Sequence, residues 1–292
     1  MTTPNPAAAE IIDTEPTRPD VSRDSQPAPP GTPRREPIRW LRARLENSWL
    51  ETRTARTLVF SVPGWPGHHA GQHVDIKLTA EDGYTAQRSY SIASAAQADR
   101  LELTVQAVSG GEVSPYLVDI MQRGDELELR GPIGGWFRWT EQLTEPVLLV
   151  GGGSGIVPLM AMLRQRILTN STAPFRMIYS ARTPDHLFYA NELYDISQKA
   201  HGITIDRIYT RSGLPDDTRE PGRLRPDDLP EASTNSRSTP AGAGPAGAAP
   251  AGKTRVYVCG PTSFVESAAQ QLLDRGHPAS TIRTERFGPS GG

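Results

Sequence analysis

The run Val147-Leu148-Leu149-Val150-Gly151-Gly152-Gly153-Ser154-Gly155-Ile156-Val157-Pro158 passes from an apolar strand pattern through glycines into a helical pattern. Glycines let backbone N–H groups approach a phosphate closely, and a helix N-terminus adds partial positive charge. Pro158 suits the first helical turn, where its missing N–H costs little. An ordinary glycine-rich turn is the bland alternative, but a glycine run that follows a buried strand favours a dinucleotide site. A P-loop would need Gly-Lys-Ser or Gly-Lys-Thr here. A nucleophile elbow centred on Ser154 would need glycine where Ile156 stands.

The next strand pattern ends at Ser180-Ala181-Arg182, and the one after it at Tyr209-Thr210-Arg211. A cation at that edge suits the 2′-phosphate of NADPH, whereas an acid there suits the ribose hydroxyl of NADH. Arg182 and Arg211 therefore favour NADPH, with Asp185 keeping NADH as the alternative. Both arginines could equally be solvated charges at loop starts. Upstream, Gln87-Arg88-Ser89-Tyr90-Ser91-Ile92-Ala93-Ser94 gathers a fixed cation, an aromatic face and several hydroxyls in one short strand. Such a set can hold a phosphate and a flat heteroaromatic ring together, or form a half-solvated sheet edge.

The remaining candidates for chemistry are weaker. His68, His69 and His73 lack the carboxylate or cysteine that would complete a zinc pattern, and Gly67 and Gly71 argue against a helix aligning them, so no metal site is expected. Gly71-Gln72-His73 reads instead as the start of a strand. Cys259 has no histidine near it in sequence to activate it. Trp65, Trp136 and Trp139 read as packing residues.

These residues need two domains to position them. The chain of 292 residues allows two, and 31 basic against 33 acidic residues give no excess for a nucleic-acid surface. One cysteine excludes an internal disulfide, a multi-cysteine zinc site and an iron–sulfur cluster encoded in the chain. No run approaches the ~20 apolar residues of a membrane span. Residues 1–35 are rich in proline and poor in larger apolar side chains, so they read as a disordered tail. No secretory pattern interrupts the default of a cytoplasmic protein. A second Ala/Gly/Pro-rich segment, 231–252, reads as a flexible insertion in the second domain.

Short alternating runs at Trp40 to Leu45, Thr57 to Val62, His73 to Leu78, Arg88 to Ser94, Leu101 to Val108 and Glu126 to Leu129 predict an antiparallel β-barrel over 36–142. One short helix is expected at Ser114 to Met121. From 143 to 292 the apolar strands Val147 to Val150, Met177 to Tyr179, Ile203 to Tyr209 and Val256 to Cys259 alternate with helical patterns at Val157 to Ile167, Leu187 to Lys199 and Thr262 to Asp274. That order predicts a doubly wound parallel sheet, giving an all-β domain followed by an α/β domain.

Arg88-x-Tyr90-Ser91 in a small barrel, then Gly153-x-Gly155-x-x-Pro158, then Cys259-Gly260-Pro261, resembles the ferredoxin–NADP reductase superfamily from roughly Trp40 to Gly288. The resemblance implies that Arg88 neutralises the FAD diphosphate, with Ser89 beside it. It implies that Tyr90 packs on the isoalloxazine and that Ser91 hydrogen-bonds near flavin N5. Gly111-Glu112-Val113-Ser114 resembles the second diphosphate contact. Gly152, Gly153 and Gly155 would face the nicotinamide nucleotide, and Cys259, Gly260 and Pro261 would border the nicotinamide. Glu285 and Phe287 resemble the segment beside the flavin, and Gly131-Pro132-Ile133-Gly134-Gly135 reads as closing the barrel and lining the flavin. Five residues follow Phe287, whereas plant-type members end on an aromatic. The implied protein is an FAD-dependent NAD(P)H oxidoreductase of the oxygenase-reductase type without a fused [2Fe–2S] domain. It would take hydride from NADPH and pass single electrons to a separate ferredoxin, oxygenase component or other redox protein. The alternatives are a free-flavin or quinone reductase, and an electron-transfer or redox-sensing subunit that works only within a complex.

Overall fold

The computed structural model describes residues 38–96, 100–232 and 254–287. The expected tail, and all but the first two residues of the segment 231–252, lie outside them. Six strands form the first sheet: β1 (Trp40–Thr52), β2 (Ala55–Ser61), β3 (His73–Thr79), β4 (Thr85–Ser91), β5 (Arg100–Gln106) and β6 (Glu126–Ile133). Their order is β4-β3-β6-β1-β2-β5, with every pair antiparallel. A bridge between Ile92 and Leu103 joins the two edge strands and curls the sheet into a barrel. Alternation sends Leu45, Leu58, Phe60, Val74, Ile76, Leu101, Leu103 and Leu129 into one core. The expected short helix is one α-turn, α1 (Val113–Pro115), continued by a π-turn at Tyr116–Ile120, which buries Leu117 and Val118 in that core.

The second sheet is parallel, in the order β11-β10-β7-β8-β9. Its strands are β7 (Val147–Gly152), β8 (Phe175–Ala181), β9 (Ile203–Tyr209), β10 (Arg255–Pro261) and β11 (Ile282–Phe287). Helices α2 (Ile156–Leu168) and α3 (Ala190–Lys199) cover one face, where Leu149, Met177, Tyr179 and Tyr257 pack against Leu159, Leu163 and Leu193. Helix α4 (Thr262–Asp274) covers the other, over Leu148, Val150, Ile178 and Val258. Sequence periodicity places α4 at its observed bounds. It misses β11, because Ile282-Arg283-Thr284-Glu285-Arg286-Phe287 carries only two large apolar residues.

Residues from Ile38 onward form one compact unit, and the contact between its two sheets is apolar and polar together. Ala55, Ala70, Ala93, Phe137 and Trp139 from the first part join the core under α2 and α3. Two groups of hydrogen bonds cross beside them. Arg164 on α2 grips Glu192 with Nε (2.8 Å) and Nη2 (2.6 Å), while its Nη1 reaches Glu102 on β5 and the Ala93 carbonyl, each at 3.0 Å. Glu51 on β1 accepts the Thr57 hydroxyl (2.7 Å) through one oxygen and the Tyr189 backbone N–H (2.8 Å) through the other. The Tyr189 hydroxyl donates to Thr104, which also shares a hydrogen bond with Thr57.

Candidate functional site

Strand β4 carries the first half of the site. Register sets Tyr90 opposite Val74 and Arg88 opposite Ile76, so both share a strand face, while Ser91 lies on the other face opposite His73. Tyr90 is half-buried against the barrel core, and burial pushes its hydroxyl up, so the ring is an uncharged flat surface. Arg88 and Ser89 are exposed; the guanidinium donates to the Gln87 carbonyl and the Ser89 hydroxyl to Asp75. Helix α1 packs on β4 and β5, which brings Gly111 to Ser114 beside the Arg88 strand. The Ser114 hydroxyl is occupied within its own loop, accepting the Val108 N–H at 3.1 Å. Tyr84 donates to the Glu112 carboxylate at 3.1 Å, closing the wall of a cavity of about 720 Å³ that Leu78, Ala86 and Tyr116 also line.

The glycine run forms the second half, each glycine for its own reason. Gly153 has φ +55° and open space around it, so its backbone is accessible. A Cβ on Gly152 would lie 2.7 Å from the Phe264 ring, and one on Gly155 would lie 2.1 Å from the Cys259 carbonyl oxygen. Gly152 and Gly155 thus let β7, β10 and α4 close up under the turn. The turn opens on a cavity of about 240 Å³ lined by Gly152, Gly153, Ser154, Arg182, Phe264 and Pro261, with Gln106 of β5 contributed from the barrel. Arg182 and Arg211 are exposed and adjacent at this edge, the Arg211 N–H donating to the Arg182 carbonyl at 2.9 Å. Phe264 and Gln106 carry no motif, and only the tertiary fold reveals them.

Strands β10 and β11 supply the remaining candidates. Parallel register pairs Cys259 with Glu285 and Pro261 with Phe287. Cys259 is fully buried, and burial raises its thiol well above the usual range, so it offers no thiolate. Glu285 lies 3.8 Å from His73 Nδ1, linking β11 to β3 and, through register, to Ser91. Burial pushes Glu285 up to about 7 and lowers His73, so both favour their neutral forms despite their ion-pair distance. His68 is a buried structural residue held by Trp65 and the Ser94 carbonyl. Trp65 and Trp139 are core, as sequence suggests, but Trp136 is 62% exposed with Arg283 over its ring, because β11 supplies a cation that sequence spacing does not show.

The raised Glu285 acid has a measurable sign. The folded protein holds a proton that the unfolded chain releases above pH 4.5, so this contribution is full below pH 4.5 and lost as pH rises through about 7. Between pH 5 and 8 we expect wild-type stability to fall by about 2–3 kcal/mol relative to Glu285→Gln, from urea midpoints at each pH. Parallel pH profiles for the two proteins would remove the assignment.

A family model of the oxidoreductase FAD-binding domain matches residues 43–138, and one of the oxidoreductase NAD-binding domain matches residues 149–270. The chain thus carries an oxidoreductase FAD-binding domain followed by an oxidoreductase NAD-binding domain. It is 30% identical over 226 residues to the propane 2-monooxygenase reductase component of Mycolicibacterium smegmatis, covering 77% of this chain and 60% of that one. It is 28% identical to the glycine betaine monooxygenase reductase subunit of Pseudomonas aeruginosa, covering 75% and 56%. The chain therefore spans less than two thirds of the length of these relatives. Among solved structures, the flavohem-like FAD/NAD binding domain of nitric oxide dioxygenase from Vibrio cholerae superposes with TM-score 0.71 at 23% identity, covering 85% of this chain and 99% of that one. A ferredoxin NADP+ reductase from Neisseria gonorrhoeae, solved with bound FAD and NADP, superposes with TM-score 0.65 at 24% identity, covering 85% and 98%. Both share this chain's fold. Among the described residues no helix is long and apolar enough to cross a membrane.

Proposed function

We propose that the protein is an FAD-dependent NAD(P)H oxidoreductase that delivers electrons to a separate ferredoxin or oxygenase component in the cytoplasm. Residues 36–142 would form the FAD unit and 143–292 the nucleotide unit. The observation that carries this reading is the pairing, in one compact unit, of the Arg88-Ser89-Tyr90-Ser91 strand with an open glycine turn whose cavity reaches the barrel at Gln106. The residues present fit the flavin: an exposed guanidinium and a half-buried uncharged ring beside it on one strand face. When bound, FAD accepts a hydride from NAD(P)H and releases electrons singly.

The chain's own part is to hold and orient. Arg88 and the Gly111–Ser114 turn neutralise the diphosphate, Tyr90 packs on the ring, and Ser91 offers a hydroxyl at its edge. The 720 Å³ cavity lies against Ala86, two residues before Arg88 on the same strand, and offers room for the adenosine half. Gly152, Gly153 and Gly155 admit the nicotinamide nucleotide, and Gly260, Pro261 and Phe287 border its ring. Burial biases Glu285, up to about pH 7, and His73 toward their neutral forms, which would limit charge beside Ser91 and Phe287. Arg182 and Arg211 favour NADPH over NADH at the adenosine ribose. Arg164, tying α2 to Ala93 and Glu102 of the barrel, would hold the flavin and nucleotide sites in fixed relation, which would supply the orientation term.

Purified protein should carry about one FAD per chain and lose its yellow absorbance on anaerobic mixing with NADPH. Replacing Arg88 with Ala should weaken FAD binding about 10–100-fold, since a charge-assisted phosphate contact contributes about 1.5–3 kcal/mol. A protein that neither holds nor takes up FAD or FMN would overturn the proposal.

A further inference from the structure

The nucleotide cavity contains one polar side chain that the reading above leaves without a task. His186 lines it together with Ser180, Arg182 and Thr210, at the carboxyl end of β8 and β9. In a doubly wound sheet, the end of the second strand is where the adenosine ribose of a dinucleotide lies. His186 closes a short 3-10 turn, Pro184–His186, and is only partly exposed. Its Nδ1 is 2.7 Å from the Thr183 hydroxyl, so this edge of the ring is already engaged and Nε2 is the free one.

We propose that His186 is a specificity-determining residue that recognises the 2′-phosphate of NADPH, with Thr183 as its positioning residue. This rests on the dinucleotide reading of the cavity. We assign the Thr183 hydroxyl as donor to Nδ1, the tautomer that places the ring hydrogen on Nε2. Nε2 then presents an N–H donor to a phosphate oxygen, and it remains a donor when the ring takes up a second proton. Charged neighbours at this edge are Arg182 and Arg211, which reinforce an anion, and Asp185 in the same turn, which opposes one. A cation, a second N–H donor and the Ser180 and Thr210 hydroxyls form a donor-rich set that suits a phosphomonoester better than a ribose hydroxyl.

The test uses the FAD-loaded full chain and two ligands that differ only in the 2′-phosphate: 2′,5′-ADP and 5′-AMP, titrated by calorimetry. The wild type should bind 2′,5′-ADP at least 10-fold more tightly. His186→Ala should cut that ratio about 5–10-fold while 5′-AMP affinity stays unchanged, and Thr183→Val should cut it less. His186→Gln keeps an N–H donor and should restore part of the ratio. An unchanged ratio in His186→Ala overturns the proposal while leaving the dinucleotide site intact. Equal losses for both ligands overturn it as well, since they mark a structural role. If the wild type binds neither ligand, the dinucleotide reading itself fails, and this inference fails with it.

Discussion

Arg164→Met should destabilise the protein by about 2–4 kcal/mol, lowering its unfolding midpoint by roughly 10 °C. Arg164 is 16% exposed and serves two carboxylates and a carbonyl at once. Its removal leaves Glu102 and Glu192 facing each other without a cation. Removing one partner of a fully buried charge cluster costs about 3–5 kcal/mol, but Glu192 is 39% exposed and water recovers part of that. Arg164→Lys keeps the charge but not the two-pronged geometry, so it should fall between wild type and Arg164→Met. The same variants should slow hydride transfer at unchanged FAD content, because Arg164 ties the helix that follows the glycine turn to Ala93, two residues beyond Ser91. A loss below about 0.5 kcal/mol would show that solvent screens the cluster.

Gly155→Ala should be as damaging, for a steric reason. The added Cβ would meet the Cys259 carbonyl oxygen at 2.1 Å and its carbon at 2.4 Å, both backbone atoms of β10 inside the parallel sheet. Neither can move without displacing β10, so a cost of about 3–5 kcal/mol is expected, above the usual range for overpacking. Gly153→Ala is the contrast. Its Cβ meets nothing within 4 Å and only the positive φ is strained, at about 1–2 kcal/mol. Urea unfolding should rank Gly155→Ala well below Gly153→Ala. The reverse order would show that the turn yields where β10 is expected to hold.

Both predictions concern features that the sequence shows unevenly. The glycine run and the apolar strands around it are legible because their chemistry is local: each residue shows its role by its type and its place in a 2- or 3.6-residue period. The split of labour among the glycines is not. Gly153 is needed for its backbone conformation and Gly155 for the approach of β10, a strand about a hundred positions away. Strand β11 is hidden because an edge strand with alternating charges looks like a loop, and Glu285 and Phe287 come into view only through family resemblance. Tyr90 and Ser91 are legible as neighbours on opposite faces, but the bridge from Ile92 to Leu103 puts them at the barrel seam. His186 is silent in sequence, since its meaning depends on Thr183 and on a cavity that five separate segments build.

The buried hydrogen bonds among Glu51, Thr57, Thr104 and Tyr189 bear on how such a protein can be recombined. Tyr189 comes from the nucleotide half and the other three from the barrel. A chimera that joined this barrel to a foreign nucleotide half would leave the second Glu51 oxygen without its Tyr189 N–H, at about 1–3 kcal/mol, while Thr104 would keep only its bond to Thr57. The two halves are thus inherited as one cassette, and the four residues must travel together when either half is exchanged.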